Sequence, residues 1–468
     1  MLLSNKHFAF LFFCLITFSS FTSAKTIFVS STTGDDGNKG DETAPLLTIS
    51  KALKQADTIL LKAGDCFYGN YFLNKKYLGR YGNGANPTIK GYKRIMIPNW
   101  VKVSDNIWRI NLIENNFSGC VIDGSSLLNN IGCIHEYDKD VIHGRKVQYV
   151  AQLKNNWDIW QTEHYSIDMD PSSLDYLYMY YEGNPNLLKL EFAIGECAIS
   201  MRYSTIECVN FEGFGFGISV VLSDNIIRGC KIDAIGGMAL LSAKDFVLHG
   251  NGISLYFGQY NVANCIVEGN YISRCYDCGL CLQGTATNDS NGINVVFRDN
   301  LVTKCCQGLE NFSESTSTLF DNCVAQNNYF INNGESGFGY PDTRFKHCQI
   351  LENNTKGPKG FVYINNIFID GNFYCAATYE KRNYTSSVFE NNICYLSPNQ
   401  FIISDYYGKE DVVYVVKDSF FKCDNIQRIN NYRDLTNDFS TKFNIASENR
   451  LRRLSQKKIS EYMSVHKF

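Results

Sequence analysis

An all-β solenoid, the right-handed parallel β-helix, is the fold that this 468-residue sequence predicts. The first observation is a degenerate unit that keeps returning: IIRGCKI at 226–232, IVEGNYI at 266–272, VFRDNLV at 296–302, VAQNNYF at 324–330, VYINNIF at 362–368 and VFENNIC at 388–394, with a worn copy, VVKDSFF, at 415–421. The second is that apolar residues alternate on both sides of a polar bend within each unit, instead of falling at i, i+3, i+4 and i+7. That periodicity reads as short strand, bend, short strand. Such a unit cannot bury its apolar face alone and must lie on a neighbouring coil, at the spacing of about 4.8 Å between paired strands. The copies anchor at Cys230, Asn270, Asn300, Asn328, Asn366, Asn392 and Ser419. Stacking aligns these positions as an Asn ladder at the bends. Asn suits a bend because it tolerates the left-handed conformation, and its amide can bond the same amide one coil away.

Composition sets the outer limits. A formal charge of −3 gives no strong attraction to nucleic acid or an anionic membrane. Residues 1–24 carry Lys6, an apolar run from Phe8 to Phe18 and Thr22-Ser23-Ala24, the pattern of a secretory leader cleaved after Ala24. The expectation is an exported, soluble monomer, secreted or periplasmic, without membrane insertion. One of the eighteen Cys, Cys14, lies in the leader, so an odd number remains and at least one is not paired within the chain. Cys275 and Cys305 follow their anchors by equal steps, as buried stacked side chains would. Cys275, Cys278 and Cys281 have the spacing of zinc ligands, but a strand–bend–strand would send them in different directions, so no metal is assigned to them.

Along the chain, residues 25–91 read as an amino-terminal cap and first coils. A strand at Lys25–Ser30 is followed by a polar loop, by Thr48 capping a short amphipathic helix (TISKALKQA), and by a strand in DTILLKAGDCF. Residues 92–190 interrupt the pattern. They hold all four Trp and strands such as NIWRINL, VQYVAQL and LDYLYMYYEG, as an inserted β-rich module, a small sandwich, would. The coils resume over 191–435. In 436–468, ENRLRRLSQKKISEYM reads as a basic amphipathic helix packed over the end of the solenoid or left as a solvated tail.

The amino-terminal order of strand, Gly-rich loop, Pro, Thr-Ile-x-x-Ala-Leu helix and D-T-I-x-L-x-x-G-D resembles the cap of the pectate-lyase-like β-helix superfamily. The insertion, with IDGSSLL and LYMYYEGNPN, resembles that of bacterial β-helix proteins that include glycoside hydrolases. The resemblance implies a secreted carbohydrate-active protein and a polysaccharide ligand. These motifs are structural and name no reaction.

Candidate chemistry comes from the columns of outward residues. Seven after the anchor lie Asp277, Gln307 and Glu335; four after it lie Arg274, Lys304 and Asn332. The copy at Asn300 is one residue short before Gly308-Leu309, which places Glu310 in the outward position held by Cys281 and Gly339. Asp277, Glu310 and Glu335 are the candidate catalytic carboxylates, since glycoside hydrolysis needs an acid paired with a nucleophile or base. Asp277 ranks first, as a charge set among Cys, Tyr and Gly. His249, in a Gly-hinged loop between coils, Arg274, Lys304 and Asp342 are candidate substrate contacts. Were the chemistry β-elimination from a uronate, Arg274 or Lys304 would act as base with Ca²⁺ on the carboxylates; no cofactor is otherwise required. A non-catalytic glycan-binding or surface β-helix is the reading from another class. Hydrolysis is preferred, because carboxylates outnumber bases in the columns.

Overall fold

The structure is a computed structural model. It describes residues 25–428 apart from 96–97, 113–120, 123–124, 127–130, 148, 162–175, 242–245, 285–289, 314, 316, 335, 340–347, 355–359, 372–373, 379–386, 391, 397–400 and 406–425. The leader at 1–24, the worn repeat at 415–421 and the tail at 436–468 lie outside the described residues, as do Glu335 and Asp342.

Three parallel sheets wrap one core, and each coil adds one strand to each sheet. The first sheet begins at Thr26–Val29 and Thr58–Lys62 and runs to Val388–Glu390; the second runs from Cys66–Tyr68 to Ile426–Arg428. In the third, the strands Ile253–Phe257, Cys278–Gly284, Gln307–Ser313 and Cys348–Asn354 are successive neighbours. Inward residues stack by type. Ile227, Val267, Phe297, Ala325 and Tyr363 form one fully buried column, and Ile232, Ile272, Val302, Phe330 and Phe368 another. Because strands follow one another around a single core with parallel pairing, the crossovers take the right-handed sense that parallel connections adopt.

The Asn ladder is present, with one correction. Each anchor amide donates to the next: Asn270 Nδ2 to Asn300 Oδ1 at 3.0 Å, Asn300 to Asn328 at 2.9 Å, Asn328 to Asn366 and Asn366 to Asn392 at 3.0 Å. The ladder residues are buried, and the left-handed bend falls on the residue before them: Gly229, Gly269, Asp299, Asn327 and Asn365, at φ between 55° and 63°. The bend needs a residue with φ > 0, while the ladder needs a side-chain amide pointing inward. One Asn does not do both. The column four after the anchor is a second left-handed corner, comprising Ala234, Arg274, Lys304 and Asn332 (φ 51–55°).

Thr48 caps a helix, accepting from the Lys51 N–H, but the helix covers only Ile49–Leu53. Ile49 and Ala52 join the core. The chain leaves the solenoid at Lys93–Arg94 and returns at Leu190–Arg202, and these two segments pair antiparallel. Between them a sheet with the order Arg145–Lys146, Asp158–Trp160, Tyr176–Tyr180, Ile107–Asn111, Val101–Ser104 forms one layer. Its Ile110, Ile159, Leu177 and Met179 pack on Ile131, Ile134, Phe192 and Ile194 in a core separate from that of the coils. The second layer is therefore shared, since Ile131–Glu136 extends the third sheet of the solenoid. The module also reaches a later coil. Arg145 bridges Gly339, and the Lys146 N–H donates to the Gly339 carbonyl at 2.9 Å. At Gly237 (φ 94°) a Cβ would lie 2.2 Å from the Gly132 carbonyl, so only glycine admits this approach.

Candidate active site

The bend between the second and third sheets brings two sequence-selected carboxylates together. Asp277 ends the turn before Cys278–Gly284, and Glu310 lies inside Gln307–Ser313. The register pairs Cys281 with Glu310, as the one-residue shortening implies. Inward Leu280 and Leu309 fix this register, because a slip by one residue would send them to the outer face. Asp277 and Glu310 are half-buried, and carboxylate oxygens of the two lie within 4.8 Å of one another, with the Cys278 sulfur inside the same radius. Cys278 Sγ stands 3.0 Å from Glu310 Oε2, 3.0 Å from Gln307 Oε1 and 3.5 Å from Asp277 Oδ1.

The electrostatics follow from this crowding. Burial, reinforced by the negative charge of Glu310, pushes the Asp277 carboxyl well above the usual range. Two carboxylates this close cannot both ionise without penalty, so the pair favours sharing one proton. The Cys278 thiol is likewise driven well up, by burial first and then by Cys281 and the two carboxylates. In its protonated form the thiol is a hydrogen-bond donor to these oxygens. The second gathering of ligand types, His135, Asp140 and Glu212, already has its charges met. His135 Nδ1 faces Glu191 at 2.7 Å and Nε2 faces Asp140 at 3.0 Å, while Lys90 stands 3.7 Å from Glu212.

The other sequence candidates fall elsewhere. Arg274 is committed to Asp233, with Nε to Oδ1 at 2.7 Å and Nη2 to Oδ2 at 2.6 Å; Lys231 and Ser273 bond the same carboxylate. Burial alone would raise Asp233, but Lys231 and Arg274 hold it below the usual carboxylate range. Lys304 is an exposed left-handed corner residue, so the shared column of Arg274 and Lys304 reflects backbone geometry. His249 ends Phe246–His249, one strand of a hairpin with Met238–Leu241, not a loop; the next carbonyl, that of Gly250, faces the Asp277 N–H at 3.4 Å. Gly339 does not continue the Glu310 row. The next coil places Leu351 there, and Gly339 belongs to an insertion that meets the module.

Cys278 was missed as a site residue, although its position beside Asp277 and in register with Gln307 was readable. Tyr276, immediately before Asp277, is buried among Tyr92, Cys133, Cys306 and Phe338, where module and coils join. The carboxylate pair therefore sits at the edge of that junction.

The family model described as "Right handed beta helix region" matches residues 178–325. Among solved structures, one described as "The complex structure of XylC with xylose" is similar at 15% identity over 81% of this chain and 70% of that one, TM-score 0.44. One described as "Glycoside hydrolase" is similar at 10% identity over 82% and 95%, TM-score 0.43. An alginate lyase from Paenibacillus sp. str. FPU-7 is similar at 11% identity over 81% and 98%, TM-score 0.34. No curated protein matches the sequence. The chain has a right-handed β-helix fold, and its chemistry rests on its own residues.

Proposed function

We propose that this chain is an exported carbohydrate-active enzyme that cleaves a glycosidic bond of a complex glycan by hydrolysis, with Asp277 and Glu310 as its acid/base and nucleophile pair. The observation that supports this is the facing of the two half-buried carboxylates, oxygens within 4.8 Å, on adjacent coils. Retaining glycosidases hold their two carboxyl groups about 5–5.5 Å apart, and inverting ones about 6.5–9.5 Å, to admit a water between. An upper limit of 4.8 Å on one pair of oxygens favours the closer, retaining arrangement over the wider, inverting one.

One shared proton supplies both roles. Burial, which raises the Asp277 carboxyl, favours placing it there. In that state Asp277 can protonate the leaving oxygen while the Glu310 carboxylate attacks the anomeric carbon. Water then enters, Asp277 takes its proton as base, and the glycosyl–Glu310 ester is cleaved. β-Elimination is less well served, because the half-buried guanidinium nearest the pair in sequence, Arg274, is occupied by Asp233.

A product scan on pectic and host-type glycans tests the assignment. Wild-type protein should release new reducing ends without absorbance from an unsaturated uronate. Asp277→Asn and Glu310→Gln should each lower turnover by about 10²–10⁴-fold with circular dichroism unchanged. An unsaturated uronate product, or full turnover in both variants, would refute the reading.

A further inference from the structure

Cys278 stands between the two carboxylates, and the hydrolysis proposed above leaves it without a part. Its side chain is fully buried; three oxygen acceptors lie in range, Glu310 Oε2, Gln307 Oε1 and Asp277 Oδ1, and the Cys281 thiol is a further hydrogen-bond partner, a weak acceptor beside a carboxylate. A thiol has one proton to give. Gln307 can turn its terminal amide and offer an N–H to the sulfur instead, which removes it from the competition. Of the carboxylates, Glu310 is the nearer, and a hydrogen bond to an ionised acceptor is the stronger kind. The backbone at this point is also held, since the Cys278 N–H donates to Asn251 Oδ1 at 3.3 Å.

We propose that Cys278 is a positioning residue: its thiol donates to Glu310 Oε2, fixes that carboxylate opposite Asp277, and keeps Glu310 the ionised member of the pair. The thiols of Cys281, on the same strand, and Cys306, in the turn before Gln307–Ser313, also face the pair. Burial pushes both up, Cys281 to about 11, so they remain neutral across the working range and add no charge. The placement of the proton on Asp277 then has two causes, the burial of Asp277 and the donor on Glu310.

The consequence for turnover rests on the hydrolase reading; the effect on the pair itself does not, so two readouts are needed. Cys278→Ala removes the donor, and Cys278→Ser keeps one in the same place without added volume. In full-length protein with ¹³C-labelled glutamate carboxyls, assigned by the loss of one signal in Glu310→Gln, the Glu310 titration should rise by about one pH unit in Cys278→Ala. It should stay near the wild-type value in Cys278→Ser. On a glycan substrate, Cys278→Ala should lower kcat about tenfold, and the acid limb of the kcat/KM profile should move upward with the Glu310 titration, because the nucleophile must be ionised. Cys278→Ser should recover both. An unmoved Glu310 titration in Cys278→Ala, or a Ser variant that behaves as the Ala one, overturns the proposal. A shifted titration without turnover on any glycan upholds the thiol's role and counts against the hydrolase reading alone.

Discussion

Asp277 shows at the level of one residue how a site departs from its scaffold. Its carboxyl is kept protonated by burial and by Glu310, so its folded pKa lies above the unfolded value of about 3.9. The sign for stability follows. Folding binds a proton there, so this stabilisation is fully present below the unfolded value and is lost as pH rises through the folded one. Asp277→Asn should therefore raise the melting temperature relative to wild type at pH 8 while leaving it nearly equal at pH 4. Equal differences at both pH values would contradict the assignment. The meeting of Asp277 and Glu310 was legible in sequence because it depends only on the register of one coil against its immediate neighbour. The pairing of Arg274 with Asp233 was not, since it spans separate coils, and neither was the thiol donor, because sequence alone showed Cys278 only as one of three Cys with metal-ligand spacing. His249 was placed near the right backbone but in the wrong element, because a hairpin between coils interrupts the repeat.

Among the elements, the Asn ladder joins sequence to coil geometry most directly. The Asn300 amide donates to Asn328 Oδ1 and to the Val267 carbonyl, both at 2.9 Å, while its oxygen accepts from the backbone and side chain of Asn270. All of this is buried, so removing the amide strands partners on two coils. Asn300→Ala should cost roughly 3 kcal/mol in urea unfolding, as the loss of several buried hydrogen bonds requires. A change under about 0.5 kcal/mol, the size of an ordinary surface substitution, would mean the ladder is ornamental. The repeat made the ladder readable because every copy shows Asn or a small residue at its anchor. It did not separate the ladder residue from the left-handed residue before it, because Asn occurs at both: Asn327-Asn328 and Asn365-Asn366 are adjacent pairs with different tasks.

Across the whole molecule, the solenoid was predictable and the docking of the module was not. A periodic pattern reports contacts between neighbouring coils, whereas the module meets the coils through residues distant in sequence. His135 is the centre of one such contact. Its ring stacks on Tyr92, its nitrogens face Glu191 and Asp140, and Lys90, Arg94 and Glu212 complete the group. Burial alone would lower the His135 pKa, but the two carboxylates raise it above the ordinary imidazole value of about 6.5. The stabilisation is therefore fully present below that value and lost as pH rises through the folded one. The melting temperature of wild type should exceed that of His135→Gln most at pH 6, with the gap narrowing toward pH 9; a gap constant with pH would contradict the charged bridge. The same junction holds Tyr276 beside Asp277, so the architecture and the chemistry meet there. The most direct test of the account is the stereochemistry of the first product, followed by proton NMR during hydrolysis of a glycan that the protein cleaves. Carboxylate oxygens within 4.8 Å predict that the newly released sugar keeps its anomeric configuration. Release of the opposite anomer would contradict the Asp277–Glu310 pair as the catalytic couple.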